Sequence, residues 1–272
     1  MMTFGLPRSE KLKKFAGKAA TAVIWLLLWQ AVCSAVNKEI LIVSPLRTAA
    51  RLAELAGEPG FWSSAAMSMS RILAGYVLGV AAGAALALLT SFIKPLREFF
   101  SPAISIIKAT PVASFIILAL VWLRRGAVPV FTSSLMVLPI IWGNVSEGIS
   151  KTDKGLLEMS RVFLFSRAKR LTAVYIPSAM PYFSAGCVTS LGLAWKAGIA
   201  AEVLSLPALS IGRELYNSKI YIETADLFAW TAVVIIMSML LELALKRALS
   251  GGFRVKGGRG NVGKVRRHKQ EL

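Results

Sequence analysis

Lys108, Lys196 and Glu202 fall within or at the ends of long apolar runs. A charge at the centre of a bilayer-spanning helix costs about 2.5–3.5 kcal/mol on insertion scales, so such residues usually face a bundle interior or water. Lys196 lies roughly 22 Å into its run counted from Pro181, past the midplane, at a rise of 1.5 Å per residue. A lysine there has the right sign to offset the desolvation of an anion in passage; a snorkelling or structurally paired lysine is the plainer alternative. Glu202 stands six positions further on, so the two do not share a face of an ideal helix. A carboxylate would repel an anion, and a structural or gating hydrogen bond suits Glu202 better than substrate contact. Trp195, Gly198 and Glu202 do share a face. Lys108 precedes Thr110-Pro111 and is placed near one mouth of the same path.

A second group of residues suits docking rather than bond chemistry. The stretch EMSRVFLFSRAKRLTAVYIPSAMP, residues 158–181, is basic and joins two apolar runs. Asp153 or Thr152 can cap a short helix through Leu156, Leu157, Ser160 and Phe163. Ser166 can cap a second one that carries Arg167, Lys169 and Arg170. Two short helices with a turn between them make a knob, and apolar groups exposed on it, such as Phe163 and Phe165, want a partner groove. Glu158 is placed to hold the knob together or to pair with a basic group of this chain or of a partner.

The elements that must position these residues are membrane helices. The chain has 272 residues, 56% of them hydrophobic, and a mean hydropathy of +0.62. Six apolar runs approach the roughly 20 residues that span a bilayer: 19–36, 70–92, 105–123, 128–145, 181–204 and 227–245. Pro111, Pro129 and Pro139 can kink or break the third and fourth. The organisation expected is a basic cytoplasmic segment over 1–18, a membrane domain over 19–249 and a glycine-rich, basic, disordered tail over 250–272.

The formal net charge is +18. With the N-terminus inside, the inside segments hold 22 Lys and Arg against 7 outside. The positive-inside rule explains that asymmetry and puts both termini and the 158–181 loop in the cytoplasm; nucleic-acid binding does not. Cys33 and Cys187 lie in apolar runs and make neither a disulfide framework nor a metal site. The only histidine, His268, is in the polar tail, so histidine chemistry within the membrane is excluded. No GxxxxGK[ST] loop is present, so the chain should not hydrolyse ATP itself. The N-terminus lacks a signal-peptide cleavage pattern.

Two smaller features concern packing. Ser44 and Pro45 start a short amphipathic helix on the outer surface, with Leu46, Ala49, Ala50 and Ala53 on one face; Gly57-Glu58-Pro59-Gly60 ends it. Gly75, Gly79 and Gly83 lie four apart, a spacing that lets two helices approach closely, within the chain by default and at a subunit interface otherwise.

The loop resembles the cytoplasmic coupling loop of ABC importer permease subunits. That loop has a glutamate, two small residues, a glycine six after the glutamate and an apolar-x-apolar-proline ending. Glu158, Ser160, Val174, Ile176 and Pro177 fall on those positions, while Met159 replaces a small residue and Leu164 stands where glycine is usual. A leucine at a positive-φ turn is strained or forces another backbone path. The resemblance extends over about 43–249. SMSRILAGY with Arg71, FFSPAISIIKATPVASF with Pro102 and Pro111, LALVWLRRG and LGLAWKAGIAAEVL resemble the nitrate/taurine/aliphatic-sulfonate branch.

The resemblance implies an all-α, polytopic helical bundle of about six transmembrane helices, the type I ABC importer permease fold. It implies an inner-membrane homodimer, two ATPase subunits that bind the ATP, and a periplasmic or lipid-anchored substrate-binding protein, with no cofactor on this chain. Glu158, Ser160, Phe163, Leu164, Ser166, Ile176 and Pro177 would couple to the ATPase. Lys196, Trp195, Gly198, Glu202 and Lys108 would lie along the pathway. Relatives in the branch carry nitrate, taurine, sulfonates, bicarbonate or thiamine-precursor pyrimidines. The rival reading, an ATP-independent secondary transporter, calls for midplane coupling residues and often for repeated halves; no convincing internal repeat is visible.

Overall fold

The structure is a computed structural model and describes residues 8–252. Residues 1–7 and 253–272, and with them most of the expected basic tail, lie outside the described residues. Among the described residues eleven α-helices follow in order: α1 Arg8–Val36, α2 Pro45–Ala56, α3 Pro59–Phe92, α4 Lys94–Ala109, α5 Val112–Trp122, α6 Val128–Ser150, α7 Lys154–Val162, α8 Arg167–Arg170, α9 Ile176–Ser205, α10 Ile211–Ile220 and α11 Thr224–Gly252. A π-helical turn, Leu171–Tyr175, joins α8 to α9. Pro59–Phe92, Val128–Ser150, Arg167–Ser205 and Thr224–Leu249 are long and apolar enough to cross a membrane. The apolar part of α1, Ala20–Val36, is shorter, and α4 with α5 makes a pair bent by 105°.

The second, third and fifth of the expected spans differ in ways that involve prolines, and the fourth and sixth run on to Ser150 and Gly252. The second begins at Pro59, because a proline in the first turn gives up an N–H that no helix would use; the Gly-Glu-Pro-Gly stretch starts α3 as well as ending α2. The third is broken where Pro111 holds Thr110 extended, at φ −80° and ψ 133°. Of the three prolines only Pro111 breaks a span: Pro129 sits in the first turn of α6 and Pro139 lies inside it. The fifth begins at Ile176, with Pro177 in its first turn and Pro181 inside it.

The core is a three-helix unit of α3, α6 and α9. A Cβ at Gly79 would lie 2.6 Å from the carbonyl oxygen of Ser134, and one at Gly83 2.7 Å from that of Leu138. Gly75 meets the backbone of Val130 in the same way, so the glycine ridge seats α3 against α6, parallel, within the chain. α9 runs antiparallel to both, with Gly198 against Ile72 and Ser133 and Gly186 against Asn144. Hydrogen bonds cross these contacts: Tyr76 Oη donates to the Cys187 carbonyl (3.0 Å), Ser133 Oγ to that of Ala194 (3.1 Å), and Trp142 Nε1 to Thr90 Oγ1 (2.9 Å). Both cysteines are buried and free.

The bundle has two ends. One carries the α3–α4 junction, α7, α8 and the π-helical turn; the other carries α2, the α5–α6 turn and α10. At the second end Ser44 caps α2 as expected, accepting from the Arg47 N–H. Thr48 and Leu55 are buried in α2, while Leu46, Ala49, Ala50 and Ala53 are exposed. A bidentate pair of Arg51 with Asp226, at 2.5 and 2.9 Å, ties α2 to α11.

Candidate functional site

The loop between α6 and α9 is a knob of two short helices. Asp153, rather than Thr152, caps α7, its carboxylate accepting from the N–H groups of Gly155 (2.6 Å) and Leu156 (3.2 Å). Thr152 instead donates to the Ile149 carbonyl at the close of α6. Ser166 caps α8 by accepting from the Lys169 N–H.

Between the helices the chain turns through Leu164 at φ +50°. The Phe165 N–H donates to the Ser160 carbonyl (2.9 Å) and the Leu164 N–H to that of Arg161 (3.0 Å). These two bonds define a Schellman cap, whose left-handed position favours glycine. Leu164 takes the backbone path that a glycine would take. Its strain is not offset by packing within the chain, because its side chain is 89% exposed, beside Phe163 at 68% and Val162 at 79%. Three consecutive apolar residues therefore form the tip.

The base of the knob is polar and tight. Ser160 is fully buried, its hydroxyl donating to the Leu157 carbonyl (2.7 Å), so a larger side chain has no room there. Lys169 Nζ lies 4.4 Å above the ring of half-buried Phe165. Glu158 is exposed and has no hydrogen bond or ion pair among the described residues. Ile176 and Pro177 open α9, and Ile176 is part of an exposed rim.

Within the bundle, the charged and aromatic residues of α9 divide between two faces. Trp195 is buried and donates its indole N–H to the Val234 carbonyl (3.0 Å), tying α9 to α11. Gly198 admits Ile72 to within 2.5 Å of where its Cβ would stand. Glu202 is fully buried; it accepts from Ser68 Oγ (2.6 Å) and from the Gly212 N–H (3.2 Å), and lies 3.5 Å from Arg71 Nη1. Arg71 also donates to the carbonyls of Ala208 and Leu209, in a loop where Leu206 and Leu209 adopt positive φ.

Lys196 points the other way. It is exposed on a stripe of α9 with Thr189, Leu193, Ala200 and Leu204, and has no hydrogen bond or ion pair among the described residues. Lys108, at the end of α4, is also exposed, with its Nζ 6.0 Å from the ring centroid of Trp142. The structure thus groups Trp195, Gly198 and Glu202 in the packed interior and leaves Lys196 and Lys108 on open surfaces. Ser68 and Arg71 are partners that sequence reasoning did not connect to Glu202. Their spacing of three on α3 was the available signal, but the carboxylate lies 134 residues from Ser68.

An all-α bundle with several helices of membrane-spanning length, a glycine-seated core, a broken helix pair and an apolar-tipped knob has the architecture of a polytopic membrane protein. Residues 75–249 match the binding-protein-dependent transport system inner membrane component family, and the chain belongs to it. It is an ABC importer permease subunit and a multi-pass membrane protein. Among curated relatives, the taurine transport system permease protein TauC of Escherichia coli (strain K12) is 22% identical over 83% of this chain and 84% of its own length. The bicarbonate transport system permease protein CmpB of Synechocystis sp. (strain ATCC 27184 / PCC 6803 / Kazusa) is 28% identical over 71% and 73%. The fold matches a crystal structure of an amino acid ABC transporter with histidines, at a TM-score of 0.59 and 19% identity over 73% of this chain and 95% of that one.

Proposed function

We propose that two copies of this chain form the pathway of an ATP-driven importer for a small solute bearing an oxyanion, of the sulfonate or bicarbonate class. ATPase subunits would seat on the knob end, which lies in the cytoplasm, and a substrate-binding protein would deliver solute at the opposite end. The observation that carries the substrate class is Lys196. An unpaired ammonium on an otherwise apolar and small-residue helix face is costly beside lipid, and is accounted for by a water-filled path shared between subunits. Lys108, nearer the knob end, would supply a second positive step along that path. The relatives that transport taurine and bicarbonate support this class, since both solutes present anionic oxygens to a site.

The exposed apolar tip formed by Val162, Phe163 and Leu164 supports the docking role, with Asp153 and Ser166 holding the two helices in register and Ser160 allowing the close turn. Closure of the ATPase pair on ATP would move the knobs and, through α9, switch the bundle between its two openings. The ATP stays with the partners; this chain's part is to bind, gate and relay motion. Glu202, held by Ser68, Arg71 and the start of α10, would fix the outer ends of α3, α9 and α10 relative to one another.

The test is uptake of labelled taurine, a short alkanesulfonate and bicarbonate in cells that express the chain with an ATPase subunit and a substrate-binding protein. Lys196→Met should reduce uptake of the preferred anion at least tenfold while the assembled complex still forms. Unchanged uptake would remove Lys196 from the pathway.

A further inference from the structure

At the knob end a cleft of about 450 Å³ opens between the last turn of α3 and the α8–π-helical segment. Phe92, Arg167, Arg170 and Tyr175 line it, and it holds two guanidinium groups and no carboxylate. Nε of Arg170 is buried without a hydrogen-bond partner. A buried cationic donor left unsatisfied is a demand for an anionic acceptor. Phe92 and Tyr175 stand edge to face, with ring centroids 5.0 Å apart at 78°, and form the floor.

Tyr175 is also the wall of a second cavity. That slot, of about 200 Å³, runs between α3, α6 and α9 and is lined by apolar groups, among them Leu88, Met180 and Phe183. Tyr175 therefore lines both the basic cleft and the apolar slot. On the other side of Phe92 a polar recess adds Lys94 and Arg97; its one acid, Glu98, lies 4.0 Å from Lys94. An isolated anion would satisfy the guanidinium groups and leave the slot unfilled. A ligand with both an anionic head and a hydrocarbon chain fills both.

We propose that this bipartite site holds an anionic phospholipid, with its phosphate between Arg167 and Arg170 and an acyl chain in the slot beyond Tyr175. Basic pockets between helices at the cytoplasmic surface suit such headgroups. The bound lipid ties α8 and the π-helical turn to α3, and so braces the root of the knob. The proposal rests on the reading that this end lies at a bilayer surface, but its test does not depend on transport.

The full-length chain is purified in mild detergent, stripped of lipid, and titrated with phosphatidylglycerol, phosphatidylcholine or inorganic phosphate while binding is followed by native mass spectrometry. Phosphatidylglycerol should bind with clear preference over phosphatidylcholine, and excess inorganic phosphate should not displace it. Arg167→Gln with Arg170→Gln should weaken it about thirtyfold, as expected for two basic residues. Arg124→Gln with Arg125→Gln, at the opposite end, should leave it unchanged. Met180→Trp, which fills the slot and spares the arginines, should weaken long-chain phosphatidylglycerol but not the dihexanoyl form. Equal binding of phosphatidylcholine, displacement by inorganic phosphate, or unchanged affinity in both the arginine pair and Met180→Trp would overturn the site. If the arginine pair instead abolished capture of the ATPase and left lipid binding intact, the cleft would be a protein contact. Failure of lipid selection in a chain that still captures its ATPase would overturn this site and leave the transport reading standing.

Discussion

Leu164→Gly separates what the knob costs this chain from what it does for a partner. A left-handed conformation costs an L-residue about 1–2 kcal/mol. Glycine removes that strain and gives back about 0.4–1 kcal/mol through the greater freedom of the unfolded chain. The leucine side chain, 89% exposed, forfeits little packing within the chain. The Schellman turn should therefore tighten by about 0.5–1 kcal/mol, and the Phe165 amide, which closes it, should exchange with solvent about two- to fivefold more slowly. Docking should move the other way. Full burial of a leucine is worth about 1.5–3 kcal/mol, so affinity for the ATPase should fall about ten- to a hundredfold. Hydrogen exchange on the purified chain and titration with the ATPase subunit read the two effects separately. Leu164→Ala should keep the strain and still weaken docking. If Leu164→Gly bound the ATPase as tightly as the parent chain, the tip would not be a contact and the strained leucine would have no role in coupling.

Gly79→Ala should lower stability by about 1–3 kcal/mol, because α3 must move off α6 to admit the methyl group; Gly192→Ala, with open space around it, should stay within about 0.5 kcal/mol. Thermal unfolding in detergent compares the two. Glu202→Ala should cost about 1–3 kcal/mol, because it leaves the buried Ser68 hydroxyl and Gly212 N–H without their acceptor, while Arg71 keeps its bonds to the Ala208 and Leu209 carbonyls. Glu214, on α10, has its carboxyl pushed above the ordinary value by burial, with Arg213 opposing and Glu58 adding to the shift. A raised carboxyl pKa favours the folded state below the unfolded value and loses that advantage as pH rises through the folded one. Glu214→Gln should therefore stabilise the protein at pH 8 and make little difference at pH 4, as read by the unfolding midpoint across pH.

The parts of this structure legible in the sequence are those set by local chemistry. The caps at Ser44 and Ser166, the need for a positive-φ residue at 164 and the power of Pro111 to break a helix follow from a few adjacent residues. The glycine ridge at 75, 79 and 83 announced a close helix contact, though only the structure shows α6 as its partner. What was not legible depends on distant partners. Which face of α2 packs inward is not legible locally, because Arg51 is held by Asp226, far along the chain. The start of α3 is not legible because Gly57-Glu58-Pro59-Gly60 reads equally as a turn and as a helix start. The spacing of Trp195, Gly198 and Glu202 puts them on one face of a helix, and all three are buried in α9. That this face points into the packed core, and that Lys196 points out of it, depends on α3, α6 and α11 enclosing α9.

The central claim is that this permease subunit works through a separate ATPase seated on the α7–α8 knob. The most direct test is to extract the tagged full chain gently from its native membrane and identify what accompanies it by mass spectrometry. An ATPase subunit at near one-to-one stoichiometry, lost when Glu158 and Phe163 are both changed to alanine, is the predicted result. A stable chain that carries no ATPase and transports its solute without ATP would contradict it.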